Sequence, residues 1–447
     1  MDRRQIAAIR WGYGFGPGMA PGDDPGSLLA GLSAPPPAAL PPLPPLEEIL
    51  SRARARRMAN RAAREGDPRA EEMVAQTAAD VRALRRELTE RRLIAPLVSP
   101  HGFVERLVSF WADHFTVGAR GLVLSLLAPH HVDAAIRPNI AGRFAELLTA
   151  AETHPAMLVY LDQDASVGPD SPLARRRGRG LNENLAREIL ELHTLGVGGA
   201  YRQQDVRELA ELLTGLTTDL RAGPRFEPRL AQPGAETVLG RRYGGDPASM
   251  RDVIAVLSDL AVHPDTARHI ARKLCVHFVS DRPDPDHVAR VEAAWNASGG
   301  DLPAVYAALL DHPAAWAPGA GKARQPFDWL IAALRAFAVA PGRAETARIL
   351  RRAPVWLARM GQPLMRPPGP DGWPEEAEAW ITPQGLAGRI AAAQALARLQ
   401  RDRDPREFVD HALGGAASAA LRRAAAAAEQ RWEGLALVLL SPEFNRR

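Results

Sequence analysis

The chain has 447 residues, 46% hydrophobic and 24% charged, which excludes wholesale disorder and leaves room for one large domain or two to three ordinary ones. Fifty-six Lys and Arg oppose 52 Asp and Glu, a net charge of only +4, whereas a nucleic-acid binder concentrates a positive excess on one face. Only Lys273 and Lys322 are lysines, an arginine bias that reads as GC-rich coding, and the single cysteine, Cys275, excludes an internal disulfide, thiolate zinc sites and iron–sulfur clusters.

Arg3-Arg4 at the start is not followed by an apolar stretch, because Arg10 and Gly12 interrupt it, so no signal peptide is expected. No run approaches ~18 apolar residues, and no transmembrane helix is expected. The cytoplasm is the default location, and the periplasm is reached only by co-export with a partner.

Residues 1–32 form a first unit, a short helical pattern followed by the Gly-rich stretch Gly12–Gly18. Residues 33–46, SAPPPAALPPLPPL, predict an extended polyproline II linker or strap. Residues 47–447 read as one large helical domain. It opens with two exposed, charged helices over 47–94, broken at Gly66-Asp67-Pro68. Residues 102–117 are amphipathic, with Phe103, Leu107, Trp111, His114 and Phe115 on one stripe. Helices over 129–149, starting at Pro129, and 153–162 precede an irregular loop, 163–181. Its run Arg175–Arg179 lacks interleaved aromatic residues and reads as solvated.

The clearest helix covers 182–195, with Asn182 suited to the N-cap and Gly196 to the C′ position. A helix over 203–216 follows. Residues 219–246 lack helical periodicity and allow a hairpin between Phe226 and Tyr243. Ten further helices fall between 248 and 440, and no 20–50-residue repeat is present. The expected fold class is all-α: a single array of about fifteen helices with at most a minor hairpin.

Stepping 100° per residue from Asn184 puts Arg187, Glu188 and Glu191 within about 60° of it, with Leu185, Ile189, Leu190 and Leu192 opposite. Glu183, Arg187 and Glu191 are spaced i, i+4, i+8, which allows an ion-pair ladder. His193 projects with the apolar side. The stripe has two readings: a solvated charged face, or a polar face towards a cleft with Glu188 and Glu191 as metal ligands or acid/base groups. His114 also has two, a hydrogen-bonded core residue or a ligand or proton-transfer group pairing with Glu188 or Glu191. Glu188, Glu191 and His114 together are a minimal set for a divalent metal or for proton transfer. Cys275, in an apolar run, reads as a small buried hydrophobe. Gly319-Ala-Gly-Lys322 lacks the leading glycine of a phosphate loop and has Ala323 where Ser or Thr is needed.

Several separated segments resemble a large bacterial family, domain of unknown function 1800. They are Arg10-Trp-Gly-Tyr-Gly-Phe-Gly-Pro17, Phe110-Trp-Ala-Asp-His-Phe-Thr116 and, most specifically, Asn182-Glu-Asn-x-Ala-Arg-Glu-x-x-Glu-Leu-x-Thr-Leu-Gly196. Gln203-x-Asp-Val-x-Glu-x-Ala210, Leu213-Thr-Gly215, His263-Pro-x-Thr-Ala-Arg268 with Lys273, and Gly299-Gly-Asp301 follow. Pro326-Phe327, Gly361-Gln-Pro363, Pro370-Asp-Gly-Trp373 and Ser441-Pro-Glu-Phe444 complete the set, which spans nearly the whole chain. The resemblance carries over no activity. It implies a genomic neighbour of another family, domain of unknown function 1501, which resembles sulfatases and alkaline phosphatases. It also favours a buried polar cluster of Trp111, Asn182, Glu183, Asn184, Arg187 and Asp205 around Glu188 and Glu191, because desolvated polar groups need partners at set spacing.

Two functions are therefore expected. The first is binding or assembly beside a phosphatase- or sulfatase-like partner of the 1501 family. The alternative is a metal-dependent or acid/base enzyme using Glu188, Glu191 and His114. Nucleic-acid binding through the arginines of 52–64 and 175–179 is the weakest reading.

Overall fold

Two hydrophobic clusters organise the chain in the computed structural model, which describes residues 1–16, 22–174, 180–319 and 321–447. The Arg175–Arg179 run, Pro17 to Pro21 and Ala320 lie outside the described residues. Among the described residues 22 α-helices occur with two small antiparallel sheets, and 63% of the chain is helical. The expected all-α array of about fifteen helices is thus corrected in helix number and in purity. The added helices, such as Arg3–Ile6, Pro25–Leu29 and Pro442–Asn445, have four or five residues. So short a helix carries no periodic signal and is stabilised by packing and caps.

Each sheet is a two-stranded hairpin. Strand β1 (Leu216–Asp219) pairs with β2 (Gly223–Phe226), and β3 (Gly234–Val238) with β4 (Arg241–Gly245). The β3–β4 return uses Leu239 and Gly240, both at positive φ (50° and 78°), as a two-residue hairpin requires. The carboxylate of Asp219 closes the first hairpin by accepting from the N–H groups of Arg221 and Ala222. Strands of four or five residues leave too little alternation to separate them from loop.

The charged helices Leu46–Arg64 and Ala70–Val98 flank the break at Gly66–Pro68 and pack on each other. The helix expected to start at Pro129 runs instead from Gly121 to His131 with Pro129 inside it. The 182–195 segment is also corrected. An α-helix over Asn184–Glu188 passes into a π-turn over Ile189–His193, which changes the direction of every later side chain.

The first cluster gathers apolar faces from Leu46–Arg64, from the middle of Ala70–Val98 and from the helices between Gly102 and Asp311, and the second from the end of Ala70–Val98 and the helices after Pro326. The N-terminal segment belongs to both. Trp11, fully buried, stacks on Phe278 at 5.3 Å in the first cluster, while Tyr13 meets Phe327 edge-on in the second. No helix among the described residues is long and apolar enough to cross a membrane.

Helix Pro264–Phe278 shows how the fold positions chemistry. Pro264 suits its first turn, and the ring of His263 caps it by accepting from Asp265 N–H. Its apolar face, with Ile270, Leu274 and Phe278, is buried. His269, Lys273 and His277, spaced i, i+4, i+8, share a second stripe. That stripe meets helix Gly102–His114 where the two clusters adjoin.

Candidate active site

The meeting point is polar because both helices bring ionisable groups to it. Lys273 Nζ lies 3.0 Å from His114 Nδ1, and His114 Nε2 lies 3.1 Å from the carbonyl oxygen of His193. A carbonyl only accepts, so Nε2 carries the proton and Nδ1 accepts from the Lys273 amine. Burial, then the neighbouring Lys273 charge, holds His114 well below its ordinary pKa, so the ring is neutral.

Asp113, beside His114, is covered by the turn 369–372. Both its carboxylate oxygens accept from Trp373 N–H, at 3.1 and 3.2 Å. This approach depends on Gly372. Its φ is +83°, and a Cβ there would sit 2.8 Å from the Asp113 carbonyl oxygen and from Oδ1. Gly372→Ala is therefore expected to cost about 1–3 kcal/mol through left-handed strain and to swing Trp373 off Asp113. A melting curve and the Trp373 emission spectrum check it; an unchanged spectrum would show that the turn absorbs the methyl.

Glu375 anchors the next layer. Its Oε1 is 2.5 Å from His277 Nδ1 and its Oε2 is 2.9 Å from Lys322 Nζ. Lys322 also pairs with Asp281 at 2.6 Å and is 1% exposed. His277 and Lys322 hold the Glu375 carboxylate ionised, far below the usual range, against the opposing effect of burial. Asp113 responds in the other direction. Burial, then the charge of Glu375, pushes its carboxyl up to about 8. The Lys273 amine is pushed down by burial, against the pull of Asp113 and Glu375. An acid raised and an amine lowered within one site are the environment-driven pair that proton transfer near neutral pH uses.

Beyond His277 the network continues through Arg106 Nη2, 2.9 Å from His277 Nε2, to an Arg106–Asp328 ion pair and to Arg447. Phe110 and Trp373 wall a cavity of about 50 Å³ that Asp113, His114, Lys273 and Glu375 line, with Asp371 at its exposed edge. A second cavity, of about 80 Å³, shares Asp113 and Trp373 and extends to Arg92 and Phe327.

The residues singled out in the sequence divide between this site and its surroundings. His114 is in it, and it reaches the 182–195 segment through the His193 carbonyl. Both of its ring nitrogens are engaged there, neither with Glu188 nor with Glu191. His193 turns its ring to Glu152, 2.7 Å away and equally buried. Trp111 is fully buried and donates to the Tyr306 hydroxyl at 2.6 Å. Among the described residues no group of three or more His, Cys, Asp or Glu could hold a metal ion.

The expected burial of the 182–191 polar stripe is corrected. Asn184 is exposed, and Asn182, Glu183, Arg187, Glu188 and Glu191 are partly so. Leu185, Ala186, Ile189 and Leu190 take the buried face and turn the charges outward. Arg187 there bridges Glu183 and Glu191 as an i, i+4 ladder and reaches Gln203. Asn182 donates to the Asp162 carbonyl and caps Asn184 N–H. Asp205 accepts from the backbone N–H of Arg202 and Leu239, fixing the β3–β4 hairpin. Glu188 is half-buried, and burial raises its carboxyl.

Sequence reasoning passed over Asp113, Lys273, Lys322 and Glu375 as site residues. One signal was present: two lysines in a chain that otherwise uses arginine. The segments carrying the family resemblance also converge here, since 110–116, Lys273 and 370–373 line the smaller cavity and Phe327, Gln362 and Pro363 the larger.

Comparison with curated proteins and with solved structures finds no match. A family model described as Protein of unknown function (DUF1800) matches residues 10–446. With nearly its whole length matched, the chain belongs to the DUF1800 family.

Proposed function

We propose that this protein is an acid–base enzyme whose centre is the pocket of Asp113, His114, Lys273 and Glu375. Lys273 takes a proton from a small substrate held between Phe110 and Trp373, and Asp113 gives one. The observation that carries this reading is the placement of the lysines. Of 56 basic residues only two are lysine, and both stand around Glu375, Lys322 bonded to it and Lys273 on the same cavity wall. Arginine supplies charge and hydrogen bonds as well as lysine does but does not release a proton at physiological pH; an amine can. Neutral His114 accepts from the amine and orients it. Positioned acid–base groups of this kind contribute roughly 10²–10⁴-fold to a rate.

Glu188 and Glu191 stand outside this centre, and the metal-dependent form of the enzymatic reading gives way to proton transfer at Lys273. The assembly role beside a 1501-family protein rests on the resemblance alone; the buried cluster supports the enzymatic reading.

Trace acetylation with acetic anhydride across pH, read by mass spectrometry, tests the proposal at residue level. Lys273 is expected to react with a midpoint below the ordinary lysine value of about 10.4, with Lys322 as a protected internal reference. A Lys273 midpoint at or above that value, or complete protection, would overturn it.

A further inference from the structure

The larger cavity holds an unmatched cation. Arg92, on helix Ala70–Val98, is 7% exposed and lines it. Its Nη2 donates to Ser109 Oγ at 2.9 Å, and its guanidinium lies over the Phe327 ring at 4.9 Å. Its Nη1 is buried and has no hydrogen-bond partner among the described residues. Asp328, on the same cavity wall, is committed to Arg106 and Arg447. Asp113, the other carboxyl of that wall, accepts from Trp373. A buried guanidinium with no carboxylate partner among the described residues is costly, and an anion entering the cavity would offset that cost. The cavity adjoins the Lys273 pocket at Asp113 and Trp373, which line both.

We propose that the Arg92 cavity is the anion subsite of the active site and takes the carboxylate of a small organic acid whose reacting end reaches Lys273. This rests on the acid–base reading for the reaction but not for the binding. One guanidinium matches a monoanion, and Arg92 presents a donor edge suited to a carboxylate. The two cavities, about 80 and 50 Å³, admit a compact acid rather than a nucleotide or a sugar chain. At about 10–15 Å³ per water, the larger holds on the order of six waters, enough for a carboxylate and a few further atoms. The apolar faces of Phe327 and Trp373 suit the hydrocarbon part of such a molecule.

Fluoroacetate, followed by ¹⁹F NMR, is the probe, with acetate and inorganic phosphate as competitors. The full-length protein is expected to bind it saturably and to release it to acetate before phosphate. Arg92→Met and Arg92→Gln should each weaken binding at least tenfold, with circular dichroism confirming that one of them stays folded. Lys273→Met should retain binding, which separates failure of this subsite from failure of the proton-transfer reading. Binding unchanged in a folded Arg92 variant would overturn the proposal. Displacement by phosphate at lower concentration than acetate would overturn the carboxylate assignment in favour of a phosphoryl group.

Discussion

Asp328→Asn is expected to destabilise the protein by about 3–5 kcal/mol, a large share of the 5–15 kcal/mol that typically separates folded from unfolded chains. Asp328 lies on helix Pro326–Ala336 and faces four guanidiniums. It pairs directly with Arg106 and with Arg447, and its charge also acts on Arg324 and Arg389. All four arginines are at most 1% exposed, so water does not screen them. Burial lowers Arg324 and Arg389 to about 10, and the charge of Asp328 opposes that fall in both. An amide keeps the shape of the side chain and removes only its charge. The cost is then an uncompensated cluster of buried cations rather than a cavity. Urea unfolding checks it: the midpoint should fall with the slope unchanged, since the exposed area on unfolding is the same. A loss under about 1 kcal/mol would show that the arginines are balanced by other groups.

Glu375→Gln should have a comparable stability cost, about 3–5 kcal/mol, and a second signature at the site. Glu375 is the shared partner of His277 and Lys322, so its neutral isostere leaves Lys322 with Asp281 as its remaining carboxylate partner and with the carbonyl of residue 375. The sign with pH follows from the depressed carboxyl. Its folded pKa lies below the ordinary 4.5, so its stabilisation is fully present above about pH 4.5 and is lost as the pH falls through the folded value. The gap between wild type and variant should therefore close on acidification. At the site, Glu375 raises both Asp113 and Lys273, so its loss should move both titrations down, by on the order of one pH unit each. Carbon NMR of the Asp113 carboxyl and the acetylation profile of Lys273 read these separately. Movement in opposite directions would show that Glu375 does not act on them through its charge.

The sequence alone determined the helical character, the stripe that buries Trp111 and His114, and the family. Each of these is local, because a period of 3.6 residues or a run of consecutive residue types is visible within one window. It also showed the Glu183–Arg187–Glu191 ladder, which needs only i, i+4 spacing. Which face of that helix is buried was decided elsewhere. The apolar residues opposite it found partners in the first cluster, and a π-turn at Ile189–His193 shifted the frame. The candidate cluster around His114 was assembled by tertiary structure. Asp113, Lys273, Lys322 and Glu375 come from four separated segments, and each taken alone reads as an ordinary charged residue. What brings them together is shared burial in one seam, which raises the Asp113 acid and lowers the Lys273 amine, while the charge of Glu375 raises both. That seam exists because two hydrophobic clusters meet there, and no spacing along the chain encodes it.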